Sequence, residues 1–308
     1  MDISVVLDDK WTLEHPIMNA AGTCKTLEQV EKLARSASSA IVVGSLTDQP
    51  RAGNSGEAYY TSPHFSLNSL GLPNGGWGYY RDNLLPMSRI AHDVGKPLIV
   101  SVAGFNRDEY LHLALAALTC GADFVELNLG CPNVWESGEQ KRIPSLDPAL
   151  TSSILDWVNT NLEIAHSGWG ARVSVKVSPV SDPYTLSRLA KSLVYSDFEM
   201  VTACNTFPNG FAYDEKGMPA ITAGNGLAGV AGPALKPISL GQVRQLREHL
   251  PPEMAIIGVG GIASGQDVMD YLRLGALAVQ VGTAYLDRGE VVFSDILREY
   301  VEILEKGG

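Results

Sequence analysis

Eight times along the chain a short apolar segment, rich in β-branched residues or flanked by glycine, appears in a rhythm that few folds can accept. The segments are IMNAAG (17–22), AIVVGSL (40–46), PLIVSVAG (97–104), FVELNLG (124–130), VSVKVSP (173–179), MVTACNT (200–206), AIIGVGG (255–261) and AVQVGTA (278–284). Each has the length and composition of a strand buried on both faces. Between most of them lie stretches such as TLEQVEKLARSA (26–37), DEYLHLALAALTC (108–120), PYTLSRLAKSLV (183–194), SLGQVRQLREHL (239–250) and GQDVMDYLRLG (265–275). Their apolar residues recur three or four positions apart, which gives each helix one face to bury against a sheet. Strand followed by helix, eight times over, specifies an α/β fold of the (β/α)8 TIM-barrel kind rather than an open sheet.

A chain of 308 residues suits one such barrel, so residues 1–308 are expected to form a single domain. With 45% hydrophobic and 19% charged residues it can bury a large core. Two stretches break the rhythm. Residues 47–96, rich in Gly, Pro, Asn and Tyr, and residues 207–238 lengthen the connections after the second and sixth strands. In a barrel, insertions there lie on the C-terminal face, where chemistry is found. The net charge of −11 leaves no basic stripe for nucleic acid, though a small anion needs only local donors. The N-terminal residues do not read as a signal or transit peptide, and no window approaches the roughly 18 apolar residues of a membrane span. Four scattered cysteines, Cys24, Cys120, Cys131 and Cys204, offer neither a zinc-binding spacing nor a disulfide framework. A reduced, cytoplasmic setting is the expectation.

Four constellations carry chemistry. Gly260, Gly261 and Gly282 close the seventh and eighth strands, the places where barrels commonly hold a phosphate on backbone N–H groups. The alternative is that these glycines only relieve crowding at tight turns. In ELNLGCPN (126–133) a single thiol, Cys131, stands at a strand's C-terminal end between Asn128 and Asn133. With an ordinary thiol pKa of about 8.5, it could serve as a base toward a bound substrate, or it could be an inert buried cysteine. Lys176 lies alone in an apolar strand, which is costly unless it meets an anion or hydrogen-bond acceptors; it could be held against an anionic ring or phosphate in the barrel mouth, or reach past the strand to water. Asn19, Asn68, Asn74, Asn128, Asn133 and Asn205 stand at strand or loop ends. They could be separate turn formers or could converge on one small polar ligand.

Taken in order, MNAAG (18–22), SLNSLGLPN (66–74), ELNLGCPN (126–133), VKVSP (175–179), CNTFPNG (204–210), IIGVGGIASGQD (256–267) and VQVGTA (279–284) resemble the dihydroorotate dehydrogenases over nearly the whole chain. The cysteine and the LNSLGLPN stretch resemble the soluble class 1 enzymes, the fumarate-linked class 1A branch most closely. The resemblance implies an FMN-binding barrel that oxidises dihydroorotate to orotate in pyrimidine biosynthesis. By it, Cys131 takes the C5 proton while a hydride passes from C6 to the flavin. Asn68, Asn128, Asn133, Asn205 and Thr206 hold the pyrimidine. Ala20, Ala21, Gly22, Ser45 and Asn128 line the flavin, with Lys176 beside N1 and O2 of its ring. Gly232, Gly260, Gly261, Gly282 and Thr283 surround its ribityl chain and phosphate. The segment from Cys131 to about Pro148 is the flap over the substrate. Fumarate as electron acceptor and a homodimer are implied in the same way; no metal is.

The chain departs from the family's pattern in two places. The lysine usual at the end of the second strand is matched here by Gly44, which removes a partner for the orotate carboxylate. The flap reads NVWESGEQKRIP in place of a short Pro-Gly segment. Lys25, Lys141 or Arg142 could restore the missing cation. Two further readings stay open: a related flavin oxidoreductase acting on another, dihydropyrimidine-like substrate, and a phosphate-binding barrel without redox chemistry. Comparing orotate with uracil in flavin titrations separates the first from dihydroorotate oxidation, and a colourless protein would favour the second.

Overall fold

The computed structural model describes residues 2–136 and 138–307. All eight expected strands are present: β1 (Ile17–Asn19), β2 (Ile41–Leu46), β3 (Leu98–Val102), β4 (Phe124–Asn128), β5 (Val173–Val177), β6 (Met200–Ala203), β7 (Ala255–Val259) and β8 (Ala278–Val281). They form one parallel sheet in which β8 pairs with β1 and each other strand pairs with its neighbours in sequence, from β2 round to β8. Between β1 and β2 a side chain does the joining. Asn19, fully buried, donates from Nδ2 to the Val42 carbonyl at 2.8 Å and accepts the Val42 N–H on Oδ1 at 2.8 Å. Its amide thus stands in for a peptide group at the seam. Just above it, the Gly22 N–H donates to Gly44 and the Gly44 N–H to Cys24. Asn19 is therefore committed to the barrel wall, which corrects its grouping with ligand-binding asparagines.

Helices α1 (Leu27–Ala34), α2 (Gly76–His92), α3 (Arg107–Thr119), α4 (Pro148–Ala165), α5 (Pro183–Tyr195), α6 (Lys236–His249), α7 (Gly265–Arg273), α8 (Thr283–Arg288) and α9 (Val291–Glu305) surround the sheet. Local capping fixes where several begin. Thr26 and Ser264 close capping boxes on α1 and α7, while Asn106, Asp147 and Asp182 accept first-turn N–H groups of α3, α4 and α5. Outward-facing strand residues such as Val43, Val100, Val125, Val175 and Val201 pack with the helices in the main core.

The alternate residues face the barrel interior, and their chemistry changes along its axis. At the lower end Met18, Val42, Ile99, Phe124, Met200, Ile257 and Ala278 form an apolar floor, with Leu13 packed among them from an N-terminal hairpin that pairs Val5–Val6 with Thr12–Leu13. That hairpin is held by buried Asp123, which accepts from Lys10, Trp11 and His92. Toward the C-terminal end the interior turns polar, with Ser101, Glu126, Asn128, Ser174, Lys176, Thr202 and Gln280 all buried. Functional side chains are thus set on rigid strands above a closed floor.

The two insertions meet. Tyr59–Thr61 and Ser66–Asn68 from the first pair with Phe207–Gly210 and Ala228–Ala231 from the second in a four-stranded antiparallel sheet. This sheet covers the C-terminal face and has its own small core of Leu67, Ile221, Ala223 and Ala228. After β4 a short hairpin pairs Trp135–Glu136 with Glu139–Gln140. It lies in the expected flap, of which Ser137 is outside the described residues. Among the described residues no helix is long and apolar enough to cross a membrane.

Candidate active site

A cavity of about 240 Å³ opens between the strand ends and the capping sheet. It is lined by Cys131, Asn68, Asn128, Asn133, Asn205, Thr206, Ala20, Ala21, Gly22, Ser45, Lys176, Gly232, Gly260, Gly261, Gly282 and Thr283, the residues that the family resemblance implies for substrate and flavin. Asn74 is not among them. Its amide instead bonds Thr47, Leu72 and Gly76, organising the loop after β2, so its place among the ligand-facing asparagines is corrected too.

One side of the cavity is a polar cluster assembled from four chain segments. Asn133 Nδ2 donates to Asn68 Oδ1 at 2.7 Å, Asn205 Nδ2 to Asn128 Oδ1 at 3.0 Å, and Asn128 Nδ2 to Ser45 Oγ at 2.8 Å. Thr206 Oγ1 is buried beside them with no hydrogen-bond partner. A buried hydroxyl left unsatisfied is costly, so its presence at a cavity wall marks a place for a polar ligand atom. Cys131 enters next to this cluster because Gly130 passes tightly over β5. A Cβ at Gly130 would lie 2.8 Å from the Ser178 nitrogen. Burial pushes the Cys131 thiol above its ordinary pKa, opposed by the Asn133 N–H and by the charges of Arg51, Lys25 and Lys176. The resting group is therefore a thiol whose ionisation is costly but electrostatically assisted.

Lys176 is 4% exposed and does not reach water. Its Nζ donates to Gln280 Oε1 at 3.0 Å and lies 3.5 Å from Glu126 Oε1. Glu126 also accepts from Ser101 at 3.1 Å and from Gln280 Nε2 at 2.9 Å. Ser101 in turn bonds Ser45, which bonds Asn128. One network thus runs from the asparagine cluster to Lys176. The demand of Lys176 for an anion and for hydrogen-bond acceptors is answered first from within the protein, by Glu126 and Gln280. Glu126, Ser101 and Gln280 were missed although they bear the same mark as Lys176, a polar residue inside an apolar strand.

At the other end, the backbone is bare. Gly260 and Gly261 adopt positive φ, and a Cβ on either would press against Ser239 or Lys236. A Cβ at Gly282 would meet only Ala20, at 3.6 Å, and project into open space. The first turn of α8, beginning at Thr283, has no side-chain cap. Exposed N–H groups beside glycines form a cradle for a phosphate. With Ala20, Ala21 and Gly22 as a thin wall and Lys176 behind, the donor set fits a phosphorylated planar cofactor that ends beside Cys131.

A second cavity of about 330 Å³ shares Asn128 and Cys131 with the first. Lys141 and Arg142 lie there and not in the main cavity. Lys141 pairs with Glu136 at 2.7 Å and Arg142 with Asp147 at 2.9 Å. Lys25 does line the main cavity.

Gly44 is held by its surroundings. It adopts φ +111°, and a Cβ there would overlap the Ser101 carbonyl oxygen and sit 2.9 Å from the Leu46 nitrogen. No side chain, lysine included, fits this backbone.

Comparison with known proteins gives the chain's family. The family model described as "Dihydroorotate dehydrogenase" matches residues 9–304. The chain is 34% identical over 300 residues to "Dihydroorotate dehydrogenase (fumarate)" of Saccharomyces paradoxus, covering 96% of this chain and 92% of that protein. It is 33% identical over 299 residues to "Dihydroorotate dehydrogenase A (fumarate)" of Lactococcus lactis subsp. cremoris strain MG1363, covering 96% and 92%. The fold matches the crystal structure of DHODH from Eimeria tenella in complex with ferulenol with a TM-score of 0.82, over 100% of this chain and 85% of that one, at 22% identity. By its sequence, its barrel and its relatives, the chain belongs to the dihydroorotate dehydrogenase family.

Proposed function

We propose that the protein is an FMN-dependent dihydroorotate dehydrogenase that oxidises dihydroorotate to orotate in pyrimidine biosynthesis, with Cys131 as the base. The observation that carries this reading is the meeting of Cys131, four asparagines and an unsatisfied threonine hydroxyl at one end of a cavity whose other end is a glycine cradle. Family membership implies a flavin. FMN is the form with a single phosphate, which one cradle of Gly232, Gly260, Gly261, Gly282 and Thr283 accommodates. When bound, it supplies the hydride acceptor for desaturation of a carbon–carbon bond.

The chain's own residues do the rest. Asn68, Asn128, Asn133, Asn205 and Thr206 offer both donors and acceptors, as an imide-containing pyrimidine ring requires. Their mutual bonds hold the cluster ready before substrate arrives. Cys131 accepts the proton from the carbon beside the one oxidised. Lys176, held at fixed geometry by Glu126 and Gln280, would offer positive charge to the flavin ring as it gains electrons. Residues 1–308 act as one FMN-binding domain, in the cytoplasm and as a homodimer. Fumarate is the electron acceptor of this reading, supported by the names of the relatives.

A second reading is favoured by Gly44 alone: a site with less positive charge would accept a neutral dihydropyrimidine. The test is to release and identify the cofactor of the purified protein, then titrate the holoenzyme with orotate and with uracil. FMN with a flavin spectrum shifted by orotate supports dihydroorotate oxidation. A shift with uracil only transfers the proposal to the neutral substrate.

A further inference from the structure

Among the described residues that line the main cavity, only Lys25 and Lys176 carry positive charge. Lys176 is answered from within the protein by Glu126. Lys25 has no such answer. Its backbone N–H is tied to Gln29 Oε1 at 2.7 Å, the side chain that also completes the α1 capping box, so the base of the residue is fixed. Its ammonium group has no carboxylate or hydrogen-bond partner among the described residues. Burial lowers its pKa, and the group whose charge acts against that lowering is Cys131. A partly buried cation that faces a cavity without a counter-ion is costly until an anion arrives.

Its position adds to this. Lys25 follows Cys24, whose carbonyl accepts the Gly44 N–H at 2.9 Å. The lysine therefore leaves the chain directly beside the strand position that has no side chain and can hold none. In dihydroorotate the carbon bearing the carboxylate is bonded to the carbon that loses its proton. A cation for the first must lie near the base for the second, and Lys25 and Cys131 line the same cavity.

We infer that Lys25 is the specificity-determining residue that binds the ring carboxylate of the substrate, supplied from the loop after β1 in place of the end of β2. This rests on the reading of the cavity as a dihydroorotate site.

The test uses the yellow holoenzyme, titrated with orotate and with its neutral carboxamide while flavin absorbance is followed. Lys25→Met is expected to weaken orotate by about 10-fold or more, the loss of one charge-assisted hydrogen bond, and the carboxamide by less than about 3-fold. Lys25→Arg is expected to keep most of the affinity for orotate. Orotate bound by Lys25→Met as tightly as by the unaltered protein would overturn the inference. So would an equal loss of both ligands, which would make Lys25 a support of the loop rather than a carboxylate partner. Unaltered yellow protein that binds neither ligand would instead strike the dihydroorotate reading itself.

Discussion

Placing a lysine at the end of β2, by Gly44→Lys, will damage the protein. Gly44 sits at φ +111°, a region that costs a side-chain-bearing residue about 1–3 kcal/mol. Its Cβ would also overlap the Ser101 carbonyl, which belongs to β3 and cannot move without disturbing the barrel. Overpacking of this kind adds about 1–3 kcal/mol. Gly44→Ala, which isolates the Cβ, should therefore cost about 2–6 kcal/mol, a large part of the 5–15 kcal/mol that typically holds a domain folded. At about 2 °C per kcal/mol the melting temperature should fall by roughly 4–12 °C. Gly44→Lys should fall at least as far, with its ammonium also to be accommodated. Gly282→Ala is the contrast: its Cβ has room in the polypeptide, so stability without cofactor should stay within about 1 kcal/mol while flavin retention drops. Thermal melts of cofactor-stripped protein and flavin-to-protein ratios measure both. A Gly44→Ala melt within about 2 °C of the unaltered protein, or a Gly44→Lys protein that binds orotate more tightly at equal stability, would refute the reasoning.

Cys131→Ala should retain flavin but slow its reduction by dihydroorotate about 10²-fold or more in single turnovers, as loss of a general base does. Since burial raises the Cys131 pKa, the thiolate that acts as base appears only at higher pH than for an ordinary thiol of about 8.5. The reduction rate should thus climb with pH and level off above that value; a profile that levels off below pH of about 8 would contradict the assignment. Glu126→Gln should destabilise the fold by about 3–5 kcal/mol by leaving the Lys176 charge unanswered in the interior, with much of the loss recovered in Glu126→Gln/Lys176→Met. Urea titrations of the single and double variants check this, and equal destabilisation by both would remove the ion pair from the account.

The barrel was legible because its strands carry apolar or β-branched runs and its helices carry clear periodicity. Capping residues set several helix starts within a residue or two of expectation, as with α1 after Thr26 and α5 after Asp182. Helix α2 was hidden inside the stretch 47–96 because Gly76, Gly78 and Pro86 carry turn signals that tertiary packing overrides. The capping sheet was hidden because its strands are three or four residues long and its central pairing, Ser66–Asn68 with Ala228–Ala231, joins segments more than a hundred residues apart in sequence. The members of the cavity wall were readable from motifs at strand ends. What could not be read was which polar residue answers which: Asn19 spends its amide on the seam, and Glu126 meets Lys176 only because β4 and β5 are neighbours in register.

The most direct test of the central claim is an anaerobic stopped-flow mix of the purified holoenzyme with L-dihydroorotate, followed near about 450 nm, where a bound oxidised flavin absorbs. The account predicts rapid bleaching and release of orotate, with a far slower trace for Cys131→Ala. A yellow protein that stays yellow with dihydroorotate would contradict it, and would leave a flavin barrel built for another substrate.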